Sequence, residues 1–131
     1  MEEKIKDKYE CDKLVGNDTL VMWYNQVIEK NIGELTISDV ARCIRQKLFL
    51  DTAYEMLLVY LLHDPYAGDI YAGELMEKAC EVDSDFIIKH KDSVSEIIEH
   101  AQQFIDNHTW EFEEDKIEYQ EAVERLSKLI K

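Results

Sequence analysis

The sequence predicts an all-α fold. One proline and four glycines in 131 residues, 34% charged side chains, and apolar residues recurring every three to four positions carry that reading. Length and a hydrophobic content of 46% suit one domain spanning residues 1–131, with a modest core. About six helices are expected around one central apolar helix.

Taken in order, Asp18 is placed to cap a helix whose inward face is Leu20, Trp23, Tyr24, Val27 and Ile28, stopped by Asn31 and Gly33. In "TISDVARCIRQKLFLD", Thr36 and Asp39 form a capping-box-like start. Ile37, Val40, Ala41, Ile44 and Leu48 make its buried stripe, with Arg42 and Arg45 on another flank. "TAYEMLLVYLLHD" is apolar nearly all round, which makes it the central helix, covered by the others. Asp64-Pro65 ends it, because a residue before proline is pushed out of the α region. "GELMEKACEV" restarts a helix with Leu75, Met76, Ala79 and Cys80 inward. "DSDFIIKHKD" reads as a short helix or turn holding Phe86 and Ile87. Ser93 and Glu96 suggest a capping box for a helix burying Val94, Ile97, Ile98, Ala101 and Ile105. A last amphipathic helix buries Tyr119, Ala122, Val123, Leu126, Leu129 and Ile130, and "TWEFE" is a weak strand candidate.

Net charge is −14 and uneven: residues 1–65 carry −4, residues 66–131 carry −10. Such a field repels phosphates and anionic lipid and speeds encounter with a cationic partner, although acidity also serves plain solubility. The N-terminal stretch lacks an apolar signal core and no run is long enough to span a membrane. Cys11, Cys43 and Cys80 are odd in number and widely spaced, which argues against a disulfide framework or zinc knuckle. A reduced, cytoplasmic protein is expected, without nucleic-acid or membrane partners.

Chemistry-bearing patterns are sparse. "DPYAGDIYAGEL", residues 64–75, holds the only proline and two glycines, yet it follows a helix and carries acids where a phosphate loop needs a lysine. "EIIEHAQQFIDNH" contains no HExxH and no paired ExxH, so Glu96, Glu99, His100, Asp106 and His108 read as solvated polar residues. Cys43 and Cys80 lie on inward faces, where thiols are inert, and Cys11 is expected exposed without a base. No catalytic residue, metal site or cofactor is expected. What remains is an acidic surface with aromatics in it, suited to a basic protein partner.

The run "IGELTISDVARCIRQKLFLDTAYEMLLVYLLHDPYAGDIYAGELMEKACEV" resembles the helical immunity proteins of bacterial contact-dependent growth inhibition systems. "ISDVARCIRQ" looks like that family's arginine-bearing helix, and "DPYAGDIYAGEL" like its Asp-Pro-x-Ala-Gly loop. The resemblance covers residues 28–82 and implies cytoplasmic binding and neutralisation of a cognate toxin domain, often a nuclease with a basic surface. Family-wide motifs then serve mainly the fold: Arg42 and Arg45 are expected to brace a turn built on Asp64, Pro65, Gly68 and Gly73 by reaching Asp64, Asp69 or Glu74. Toxin contact is expected at Asp83, Asp85, Glu111, Glu113, Glu114, Asp115 and Glu118, with Trp110 and Tyr119 as anchors. Tyr66, Asp69, Tyr71 and Glu74 are the alternative contacts, in the loop. Competing readings are a helical scaffold acting by homo-oligomerisation or on another partner, a nucleic-acid mimic, and an enzyme using the His100–His108 region.

Overall fold

A computed structural model describes residues 3–131. Its helices are α1 (Ile5–Lys8), α2 (Thr19–Val27), α3 (Ile37–Gln46), α4 (Leu50–His63), α5 (Glu74–Ala79), α6 (Ser84–Lys89), α7 (Lys91–Phe104) and α8 (Glu113–Leu129), with a 3-10 turn at Ile32–Glu34. The all-α expectation holds. The helices among the described residues exceed six because α1, of four residues, is too short to show a periodicity and the segment expected as a short helix or turn forms α6. "TWEFE" runs as coil and bend into α8, and among the described residues the only β pairing is an isolated bridge between Lys4 and Asn31.

The most apolar segment, α4, packs against α3, α5 and α7, while α8 closes the far side on α5, α6 and α7. Ala53, Met56, Leu57, Leu58 and Leu61 of α4 are buried, but Val59 and Leu62 are exposed, so the central helix keeps one open flank. Leu20, expected inward, is also exposed; Val27 and Ile28, at the other end of α2, are the residues that enter the core. On α8, Leu129 is exposed while Tyr119, Ala122, Val123 and Leu126 are buried.

Local chemistry accounts for most helix starts. The Asp18 carboxylate accepts Val21 N–H at 2.9 Å, and Thr36 with Asp39 completes a reciprocal capping box. Ser93 and Glu96 do not form the expected box: α7 begins at Lys91 behind His90, which leaves Ser93 inside the first turn. Between α3 and α4 the chain reverses through Lys47 (φ 57°) and Phe49 (φ 51°). Left-handed backbone is unfavourable for such residues; here the Phe49 ring is held between Tyr9 and Tyr24, at 4.8 and 5.8 Å between centroids.

Candidate functional site

The loop between α4 and α5 is tied by its own polar groups. Asp64, just past α4, accepts Tyr66 N–H on its carboxylate at 2.9 Å, an Asx turn. Gly73 N–H donates to Tyr66 C=O at 2.8 Å, and Leu75 N–H to Ala67 C=O at 3.1 Å. The brace is Glu74: only 4% exposed, it accepts Asp69 N–H at 2.7 Å and Ile70 N–H at 3.1 Å through one oxygen. Two backbone donors aimed at one carboxylate make charge-assisted bonds that hold the loop's crest. Glu74 is therefore an internal strut and not a contact residue.

The expected arginine brace is not formed. Arg42 lies over the Trp23 ring at 4.9 Å and its Nε is buried without a partner. Arg45 is exposed, and among the described residues neither arginine enters an ion pair. The reason is rotation along α3: Ile37 borders the loop, whereas Arg42, five residues on, has turned towards α2.

Behind the loop, rings from three segments stack. Tyr66 lies 4.4 Å from His108, 5.0 Å from Tyr119 and 5.9 Å from Trp110 between centroids. Tyr66 donates to Ala101 C=O at 2.6 Å and Tyr119 to Pro65 C=O at 2.7 Å. Burial raises both phenols, that of Tyr66 to about 12. Tyr119 is fully buried, so it cannot act as the surface anchor expected from "EFEEDKIEYQE". Trp110 is half-buried beside it, its indole N–H on Ile105 C=O at 3.4 Å.

Both loop glycines answer a steric demand. A Cβ on Gly68 would sit 1.9 Å from Tyr71 O, a backbone atom that cannot swing away, and Gly73 has φ +86° with a Cβ position 2.6 Å from the Tyr119 ring. Gly68→Ala should thus cost more than the roughly 1 kcal/mol of an ordinary surface Gly→Ala mismatch, on the order of 2–4 kcal/mol. Urea unfolding reads this, and a variant within 0.5 kcal/mol of wild type (the usual scatter for surface changes) would show that the crest can rearrange freely.

The carboxylates expected at an interface are mostly open. Asp83, Asp85, Glu111, Glu113, Glu114 and Glu118 are exposed and Asp115 is half-buried. None of the seven enters an ion pair among the described residues. Asp83 has a local duty as well, accepting Asp85 N–H at 3.0 Å to cap α6. Glu77 belongs to the acidic surface read from the sequence, but its half-burial was not foreseen. Burial, together with Glu118, Asp115 and Glu74, raises its pKa despite the opposing Tyr71 hydrogen bond. The Tyr71 phenol rises in turn through burial and the neighbouring carboxylates of Glu77, Glu74 and Glu118. The signal was the acid at Glu77 one turn after Glu74, but which face of α8 it would meet is a tertiary fact. Cys43 is buried, which lifts its thiol to about 12, and Cys80 and Cys11 are half-buried, so Cys11 is less open than expected.

Residues 5–97, well over half of the chain, match a family model described as CDI immunity proteins. The chain belongs to that family. Its work is accordingly the neutralisation of a toxin by an immunity protein of a contact-dependent growth inhibition system. The matched span contains the 28–82 resemblance and extends it on both sides, through α1 and into α7. No curated protein and no solved structure matches the immunity protein. No helix among the described residues is long and apolar enough to cross a membrane.

Proposed function

We propose that this immunity protein neutralises a nuclease toxin in the cytoplasm by laying the acidic second half of its surface on the basic face with which the toxin holds nucleic acid. The observation that carries this reading is the set of exposed carboxylates at Glu111, Glu113, Glu114 and Glu118, none of them matched by a cation among the described residues of its own chain. Their number exceeds what complementing the start of α8 would need, since the helix dipole acts only within the first turn. They also lie outside the matched span 5–97. A division follows in which the shared segment supplies the fold and residues after it supply contacts suited to one toxin. Neutralisation by coverage requires no catalytic group, so the immunity protein acts by binding alone.

The test is capture of the toxin on the tagged immunity protein from the native host, identification by mass spectrometry, and titration of the purified pair at low and at high salt. A basic nuclease domain bound one-to-one and weakened by salt is expected. The double variant Glu113→Gln/Glu114→Gln should slow association about threefold or more at low salt and flatten its salt dependence, because steering acts on the association rate. Unchanged kinetics in that variant would remove the contact surface from α8. Recovery of the chain bound only to itself would favour the homo-oligomeric scaffold.

A further inference from the structure

The loop overhangs a cleft of about 680 Å³, bordered by Tyr60 and Asp64 at the end of α4, by Tyr66, Asp69 and Tyr71 of the loop, and by His108. That size lies within the roughly 300–1,000 Å³ of clefts that bind small molecules, so a side chain has room to enter. Tyr60 spends its hydroxyl on the Leu35 carbonyl, so what it offers the cleft is ring surface; Tyr66, bonded to the Ala101 carbonyl and already stacked on His108 and Tyr119, completes the wall. Asp64 uses one carboxylate oxygen on Tyr66 N–H. The Asp69 carboxylate has no hydrogen-bond or ion-pair partner among the described residues, although its backbone is pinned by Glu74. Among the described residues no lysine or arginine borders the cleft.

We infer that this cleft receives an arginine side chain of the toxin. The inference rests on the immunity reading and adds a second, deeper point of contact to the acidic face. Charge complementarity selects a cation, since the cleft holds two carboxylates and neither lysine nor arginine among the described residues, in a chain of net charge −14. The rings select arginine over lysine, because a planar guanidinium stacks on an aromatic face while its fork engages a carboxylate; an ammonium keeps its hydration more tightly. Preorganisation favours binding: the Glu74 strut and the two glycines fix the crest before the toxin arrives, so little ordering remains to oppose it. Ile70, 75% exposed on the rim, is placed to shield the seated guanidinium from water, as near-neutral apolar neighbours do around a buried charged anchor.

The probe is the peptide acetyl-Gly-Arg-Gly-amide, titrated into the 15N-labelled immunity protein, with the citrulline peptide as its uncharged isostere. Saturable shifts confined to the amides of residues 66–73 and the His108 ring are expected with arginine and absent with citrulline. Asp64→Asn/Asp69→Asn should weaken the arginine peptide at least fivefold. The carboxamide that Asp64→Asn introduces keeps an oxygen to accept Tyr66 N–H, and an unchanged melting temperature verifies the fold. Shifts scattered over Glu111–Glu118, equal responses to citrulline, no saturable response, or a double variant that binds as wild type would each overturn the inference. The outcome is separable from that of the acidic-face reading. A salt-insensitive toxin complex sinks the latter and leaves the peptide result standing, and the peptide can fail while Glu113 and Glu114 still govern association.

Discussion

Tyr119→Ala should destabilise the immunity protein by about 3–5 kcal/mol, the range for deleting a fully buried large aromatic side chain. The loss does not stop at a cavity. Tyr119 stacks on Tyr66 at 5.0 Å, sits 5.3 Å from Trp110, and donates to Pro65 C=O at 2.7 Å across 54 positions of sequence. Its ring also lies against Gly73. Removing it takes the back wall from the loop, so neutralisation should fall further than the unfolded fraction alone explains. Tyr119→Phe separates the contributions: the stack survives and Pro65 C=O loses its donor, a cost of about 1–3 kcal/mol for an unsatisfied buried acceptor. Chemical unfolding of both variants, with toxin protection measured alongside, checks this. If Tyr119→Ala proved to be within about 1 kcal/mol of wild type, below the range for any buried large-to-small change, the stack would not be what supports the loop.

The same residue shows what was legible in the sequence. Spacing placed Tyr119 on the inward stripe of α8 with Ala122, Val123 and Leu126, and that stripe is buried. Its position beside "EFEED" also suggested a contact anchor, and there the helical period was the better guide, because periodicity reports burial directly while neighbouring charge does not. The capping box at Thr36 and Asp39 was readable because both partners lie within one turn. The role of Glu74 was not, although it too is local. A carboxylate four and five residues after two amides can brace them or face water, and the choice depends on whether α5 buries it. The arginines failed for a longer-range reason. Nothing in "ISDVARCIRQ" says that Trp23 of α2 will lie beneath Arg42. Likewise the exposure of Val59 and Leu62 on α4 follows from which helices arrive to cover it, and α3, α5 and α7 leave that flank open.

Asp39→Ala should cost about 2–4 kcal/mol, and the loss should depend on pH in a defined sense. Asp39 is 6% exposed and gathers four functions: it accepts Lys30 Nζ at 2.6 Å, Trp23 Nε1 at 3.1 Å and Thr36 N–H at 3.0 Å, and its own N–H caps on Thr36. Breaking a buried charge pair costs about 3–5 kcal/mol when the orphaned partner stays buried. Lys30 retains a third of its exposure and can rehydrate, which lowers the figure, while loss of the capping box adds about 1 kcal/mol back. Burial pushes the Asp39 carboxyl up, but Lys30, the Thr36 N–H and Trp23 together outweigh it and hold it below the usual carboxylate range. A folded-state pKa below the unfolded value of about 3.9 means the ionised form is favoured by folding. The contribution is therefore fully present above about pH 4–5 and is lost as pH falls through the folded value. Asp51 and Glu29 are also lowered and share that sign, so the wild-type curve alone does not isolate Asp39. The difference between wild type and Asp39→Asn does: it should be constant from about pH 5 to 8 and shrink below about pH 4. A double-mutant cycle with Lys30→Met at neutral pH should return a coupling of about 1–2 kcal/mol. A difference that grew on acidification would reverse the sign of the linkage and with it the claim that Lys30, Thr36 and Trp23 prevail over burial at this carboxylate.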